Sequence, residues 1–278
     1  MCSYESEKIL KMIKFVATDI DGTILPSSGK FTSEVKSCIK QMQNDGIKVV
    51  IMTGRMHKAA ERIAERLELN TPVVSYNGGY IKAKDGDVLY EENLSEEHTK
   101  EIIEWAHENN IHLNLYADDV LYSEKEDYEI QRYAQYQGLD YIIRDFSQVP
   151  FNRVHKLLGI DYHNPERVTE WVNTMGKKYP ELYVIKSTPY FCEFSTPRAT
   201  KACAVKFLQQ YWNFKDDEIL AIGDQDNDIE LLKAGGISVA MGNATPNLIT
   251  YADYITDTVD NNGFVKAMDI FVYNKENI

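Results

Sequence analysis

Apolar and polar positions alternate along the chain in two distinct styles. Ile13 to Thr18 is a short apolar run rich in β-formers and ending in acids, which predicts a buried strand. Val35, Cys38, Ile39 and Met42 then fall on one helical face, with Thr32 or Ser33 able to cap it and Gly46 to end it. Ile47 to Met52 predicts a second strand. Ala59, Ala60, Ile63, Ala64 and Leu67 predict a second amphipathic helix, and Pro72 to Ser75 a third strand. Strand–helix–strand–helix–strand implies parallel strands with right-handed crossovers.

The style changes near Gly79. Tyr80 to Ala83 and Val88 to Tyr90 flank Lys84-Asp85-Gly86-Asp87, a hairpin signal. Ser95 can cap a helix through Ile102, Ile103 and Ala106. Ile111 to Tyr116 and Val120 to Tyr122 flank Asp118 as a second hairpin-like pair, and a tyrosine-rich helix runs near Asp127 to Gln137. Val154 to Ile160 predicts a strand and Pro165 opens a helix ending near Gly176. Leu182 to Lys186 and Tyr190 to Phe194 complete an α+β module. The parallel style then returns: helix from Lys201 to Tyr211, strand Ile219 to Ile222, helix Asn227 to Ala234, strand Ile237 to Met241, helix Pro246 to Tyr251, short strand Tyr254-Ile255, helix Phe264 to Val272. The expected fold class is α/β, a doubly wound parallel-sheet core over 1–82 and 191–278 with an α+β domain inserted at 83–190.

Composition narrows the function. The 278 residues are 44% hydrophobic and 26% charged, enough to bury a core. The net charge of −13 disfavours a nucleic-acid surface or an anionic membrane as partner. Cys2, Cys38, Cys192 and Cys203 show no C-x-x-C spacing and read as reduced thiols, with Cys192 and Cys203 expected to be buried. Met1 to Lys11 is polar, unlike a signal peptide, and no window approaches a membrane span; the cytoplasm is the expected compartment.

Chemistry-bearing residues cluster where strands end. Asp19-Ile20-Asp21-Gly22-Thr23 follows the first strand, and residues two apart on an extended segment point the same way. Two facing carboxylates call for a cation or a shared proton, although a solvated acidic turn also fits a bare D-x-D-G. Thr53-Gly54-Arg55 follows the second strand and offers a hydroxyl and N–H groups to an anion, or simply a helix cap. Gly223-Asp224-Gln225-Asp226-Asn227-Asp228 follows a later strand, and Lys201 opens the helix after the insertion. The EF-hand pattern for calcium is absent.

In this order and layout the four pieces resemble the haloacid dehalogenase (HAD) superfamily, and within it the Cof-type phosphatases that carry a large α/β cap (subfamily IIB). Ser75-Tyr76-Asn77-Gly78-Gly79 and Ala240-Met241-Gly242-Asn243-Ala244 are further matches, and the resemblance covers roughly Ile13 to Ala83 and Tyr190 to Val272. Ala202 and Ala199 depart from it, at positions where glycine is usual. The resemblance implies that Asp19 attacks phosphorus and forms an aspartyl-phosphate, and that Asp21, with a raised pKa, serves as acid and then base. It implies Mg²⁺ held by Asp19, Asp21 through its backbone carbonyl, and Asp224, with Asp228 behind them or orienting Lys201. Ile20, Thr53, Gly54, Lys201 and Asn227 would hold phosphate.

The implied activity is Mg²⁺-dependent hydrolysis of a small phosphorylated metabolite, such as a sugar phosphate, by a monomer or small homo-oligomer. A phosphomutase or phosphotransferase of the phosphomannomutase type and a non-catalytic phospho-ligand binder are the alternatives. Tyr116, Tyr122, Tyr128, Tyr133 and Tyr136 are candidates to meet the substrate from the cap, though packing or a surface position is the commoner role for any one of them. Trp105, Trp171 and Trp212 read as core or interface residues, and His57 as a surface helix residue near the site.

Overall fold

The computed structural model describes residues 12–275. In chain order the regular elements are β1 (Phe15–Thr18), α1 (Ser33–Asn44), β2 (Lys48–Ile51), α2 (His57–Arg66), β3 (Val73–Ser75), β4 (Tyr80–Lys82), β5 (Val88–Glu91), α3 (Glu96–Glu108), β6 (His112–Ala117), β7 (Val120–Ser123), α4 (Tyr128–Gln137), β8 (Ile142–Ile143), β9 (Val154–Ile160), α5 (Pro165–Lys178), β10 (Tyr183–Thr188) and β11 (Phe191–Ser195). The chain continues with α6 (Lys201–Trp212), β12 (Ile219–Gly223), α7 (Ile229–Ala234), β13 (Ile237–Ala240), α8 (Pro246–Ile249), β14 (Tyr254–Ile255) and α9 (Gly263–Phe271).

The core is an all-parallel sheet in the order β14-β13-β12-β1-β2. Its interior strand β1 is buried on both faces, as its unbroken apolar run required. One face packs Val35, Ile39, Met42 and Phe264 of α1 and α9, and the other Val205 and Leu208 of α6. A parallel bridge between Met52 and Val74 attaches β3 beyond β2. From there the antiparallel β3-β4-β5 ribbon turns off the sheet, with Leu89 and Tyr90 still packed on the core. The expected boundary at 82/83 thus falls inside the β4–β5 hairpin.

The inserted module is a six-stranded sheet, β10-β11-β9-β6-β7-β8, antiparallel except where β7 meets β8. Trp171 of α5 and Ile102 of α3 pack on one face, and Trp105 meets Trp171 edge-on. On the other face Tyr116, Tyr133 and Phe191 join Met56, Tyr76 and Tyr80 of the core in one apolar cluster. The β6–β7 turn places Asp118 and Asp119 both at positive φ, the type I′ geometry that suits a two-residue hairpin.

Most elements lie within a residue or two of their predicted bounds. Strand β8 went unpredicted because its two residues are exposed and carry no periodic signal. The helix expected from Asn227 begins later: Asp226–Asp228 forms a 3₁₀ turn, since Asp228 folds its carboxylate back onto the N–H groups of Asp224 and Gln225. Cys192 is buried but Cys203 is only half-buried, because it lies off the buried stripe of Ala204, Val205 and Leu208. Met1 to Lys11 lies outside the described residues. No described helix is long and apolar enough to cross a membrane.

Candidate active site

The carboxyl ends of β1, β2 and β12 deliver Asp19, Thr53 and Asp224 to one edge of the sheet, where open parallel sheets bind ligands. After β1 the chain folds tightly, with the Ile20 carbonyl accepting from Thr23, Ile24 and Leu25. Gly22 makes the turn at φ +83°, and a Cβ there would stand 2.2 Å from Asp224 Oδ2. Only glycine lets the two acidic loops approach this closely.

Lys201 lies beneath the site, at the first turn of α6, whose N-cap is the Thr200 side chain. Its Nζ is 2.5 Å from Asp19 Oδ1 and 2.5 Å from Asp228 Oδ1. Asp228 is fully committed, because its Oδ2 takes the N–H groups of Asp224 and Gln225. Asp224 accepts from Thr23 Oγ1 at 3.2 Å and Gln225 Nε2 at 3.0 Å. The alanines at 199 and 202 do not disturb this. Ala199 is buried against Gly79, whose missing side chain makes the room, and the Thr200 cap sets the helix start.

Burial dominates the electrostatics. It pushes the Asp19 carboxyl well above the usual range; Lys201 opposes the shift, while Asp228, Asp224 and Asp21 add to it. Burial likewise raises Asp224 to about 6, despite the hydrogen bond from Gln225. Burial alone would lower the Lys201 ammonium, but its two carboxylate partners outweigh it and raise the pKa. Ligand oxygens of Asp19, Asp224 and Asp228 lie within 4.8 Å of one another. With Asp21 they are four carboxylates against two cations, Lys201 and Arg55. Crowded oxygen donors with excess negative charge fit a hard divalent cation.

The Thr53-Gly54-Arg55 loop faces these acids. Arg55 grips Asp21 through both oxygens, and the Arg55 N–H donates to Thr53 Oγ1 at 3.2 Å. Among the described residues nothing accepts from the Ile20 or Gly54 N–H; Gly54 lines the cavity and its donor is open to an anion, while Ile20 is fully buried. A Cβ on Gly54 would come within 2.8 Å of Asn77 Oδ1.

A cavity of about 730 Å³ opens over the site between core and module. Asp19, Asp21, Asp224, Thr53, Gly54 and Asn227 line its floor. Lys201 and Ile20 lie below that surface, so Lys201 reaches the cavity through Asp19. Of the five candidate tyrosines, Tyr133 and Tyr136 line the cavity. Tyr116 is buried in the apolar cluster, and Tyr122 and Tyr128 lie elsewhere. His57 is a buried residue rather than a surface one: the Tyr80 ring packs edge-on against it, and its Nδ1 lies 3.3 Å from Ser75 Oγ. Sequence reading missed Lys156 and Glu193, and gave no role to Asn77 within its motif; all three gather here. Charges inside the apolar strands Val154–Ile160 and Phe191–Ser195 were the available signal.

Comparison with known proteins identifies the family. Residues 16–268 match the family model of haloacid dehalogenase-like hydrolases. The chain is 27% identical to phosphatase YwpJ of Bacillus subtilis, over 92% of this chain and 99% of that one. It is 28% identical to the 5-amino-6-(5-phospho-D-ribitylamino)uracil phosphatase YcsE of the same organism, over 92% and 94%. A crystal structure of a haloacid dehalogenase-like hydrolase from Bacteroides thetaiotaomicron superimposes with a TM-score of 0.84 at 27% identity, covering 92% of this chain and 98% of that one.

Proposed function

The chain belongs to the haloacid dehalogenase-like hydrolase family and is a phosphoric monoester hydrolase, and from that premise we propose that it dephosphorylates a small metabolite through an aspartyl-phosphate on Asp19. The observation that carries this reading is the placement of Asp19 at the cavity floor, with Lys201 behind it and the Thr53–Gly54 donors opposite.

One Asp19 oxygen is held by Lys201, which aims the other at the cavity as a nucleophile. The Thr53 hydroxyl and the Gly54 N–H receive the phosphoryl oxygens, and Asn227 approaches from the side of β12. Asp21 gives a proton to the leaving oxygen and takes one from the water that releases phosphate. Asp19, Asp224 and the Asp21 carbonyl are the residues to hold Mg²⁺. A cation held by these residues would supply charge neutralisation for the transferring phosphoryl group. Long-range repulsion from a net charge of −13 is screened beyond about 8 Å at physiological salt, so these local donors decide binding.

Residues 83–190 act as the cap, and the cavity roof sets the substrate class. Ser187, Thr188 and Gln137 offer hydrogen bonds to hydroxyls, and Tyr133 and Tyr136 offer aromatic faces. A sugar phosphate, or a polyol phosphate bearing a ring, fits that lining. The test is a panel of phosphate esters with and without Mg²⁺. Metal-dependent free phosphate is expected. An isomerised sugar phosphate would mean transfer to a hydroxyl, and no chemistry on any ester would mean a binding protein.

A further inference from the structure

Where the inserted module meets the Thr53–Arg55 loop, a buried ion pair of the module's own sheet reaches the core through hydrogen bonds. Lys156 stands in β9 and Glu193 in β11, 2% and 5% exposed. Lys156 Nζ lies 3.2 Å from Glu193 Oε2, and it donates to the Gly54 carbonyl of the core at 2.9 Å. Glu193 accepts from Asn77 Nδ2 of the core at 3.1 Å, and from Ser187 Oγ. The Tyr116 ring lies 5.0 Å from the ammonium. A buried ion pair is poor warrant for stability, because desolvation offsets its attraction. What it holds is more informative.

Three successive carbonyls line the loop. Thr53 O accepts from Asn77 N–H at 2.9 Å and Arg55 O from Tyr76 N–H at 3.0 Å, both within the core. The carbonyl between them, Gly54 O, is held by Lys156 from the inserted module. The peptide unit is planar, so fixing Gly54 O also aims the Arg55 N–H on the opposite side. That N–H occupies a lone pair of Thr53 Oγ1, which leaves the hydroxyl proton for an acceptor in the cavity. The same peptide carries the Arg55 side chain that grips Asp21.

We infer that Lys156 is a positioning residue: from the inserted module it sets the Gly54–Arg55 peptide, and through it the Thr53 hydroxyl and the grip on Asp21. The phosphate-side loop is complete only when the module is docked, which couples enclosure of the substrate to assembly of the site. The inference rests on the phosphatase reading above.

The test uses Lys156→Met, Lys156→Gln, Thr53→Val and the Lys156→Met/Thr53→Val double variant. Lys156→Met/Glu193→Gln guards against misfolding from a lone buried carboxylate. Rates on p-nitrophenyl phosphate and affinity for inorganic phosphate are read for each. Lys156→Met and the charge-free pair are expected to lose about 10- to 100-fold in kcat/KM, mostly in kcat. Lys156→Gln, which keeps a donor, should recover part of that loss. In the Thr53→Val background, loss of Lys156 should cost much less than in the wild type. Losses that simply multiply, or a charge-free pair with wild-type kcat, would overturn the inference. If the wild type releases no phosphate, the phosphatase reading fails by itself. Phosphate affinity then still decides this point, and Lys156→Met binding as tightly as wild type would overturn it.

Discussion

Arg55 and Asp21 are locked fork to fork, with Nε donating to Oδ2 at 2.8 Å and Nη2 to Oδ1 at 2.7 Å. Both oxygens of this carboxyl are turned to the guanidinium and away from a leaving group. To protonate a leaving oxygen, Asp21 must exchange Arg55 for the substrate. Its side chain is 44% exposed against 14% for Arg55, so Asp21 is the partner with room to swing. Asp21→Asn is expected to slow hydrolysis of an alkyl phosphate by about 100- to 10,000-fold. The loss should be far smaller on p-nitrophenyl phosphate, whose leaving group needs no proton. Rates across a leaving-group series check this, and equal losses on every ester would place the acid elsewhere.

Asp224 is expected to make binding of the proposed Mg²⁺ pH-dependent. Burial raises its carboxyl from 3.8 to about 6, so below that value a proton competes with the cation. Affinity is expected to fall by up to about tenfold per pH unit for each carboxylate that titrates there. The folded chain binds this proton more tightly than the unfolded chain. The metal-free protein therefore loses stability from Asp224 as pH rises through that window, and Mg²⁺ offsets the loss. The Tm gain on adding Mg²⁺ should be larger near about pH 7.5 than near about pH 5. Thermal melts against EDTA controls measure it, and equal gains would remove Asp224 from the metal site.

Gly22 is expected to tolerate no side chain. A Cβ would meet Asp224 Oδ2 at 2.2 Å, on a backbone already at φ +83°. Gly22→Ala should cost about 1–3 kcal/mol from backbone strain alone and weaken Mg²⁺ binding as the two acidic loops part. Denaturant melts and metal titration read the two effects separately.

Asp119 ties the inserted module to the core. It accepts from the N–H groups of His57 at 2.9 Å and Lys58 at 3.0 Å, and from Tyr76 OH at 2.7 Å. Those N–H groups open α2, whose own N-cap residue, Met56, makes no side-chain hydrogen bond. The module thus caps a core helix. Asp119→Ala should destabilise the protein by about 1–2 kcal/mol, and Asp119→Asn by less, as thermal melts would show.

The sequence disclosed what is local. Apolar runs marked the strands, and the acids, Thr53 and Lys201 stand where those runs end or a helix starts. That is enough to place them on one edge of a parallel sheet. Contacts between distant segments were not legible. Lys156 meets a carbonyl 102 residues away and Glu193 an amide 116 residues away, and no spacing rule connects them. Asp119 reads as a turn residue, which it is; that the turn also caps α2 depends on how the module sits. His57 read as exposed because Tyr80 and Ser75, which cover it, lie beyond its own helix.

The central claim is a covalent one, that the Asp19 carboxylate accepts the phosphoryl group. Acid-quenching a single turnover of a radiolabelled phosphate ester and mapping the labelled peptide by mass spectrometry tests it most directly. The expected result is one phosphoryl group on Asp19 that appears and decays within the turnover, and is absent from Asp19→Asn, which should lose at least about 1,000-fold in kcat. Label on another residue, or an Asp19→Asn protein that still turns over at the wild-type rate, would contradict it.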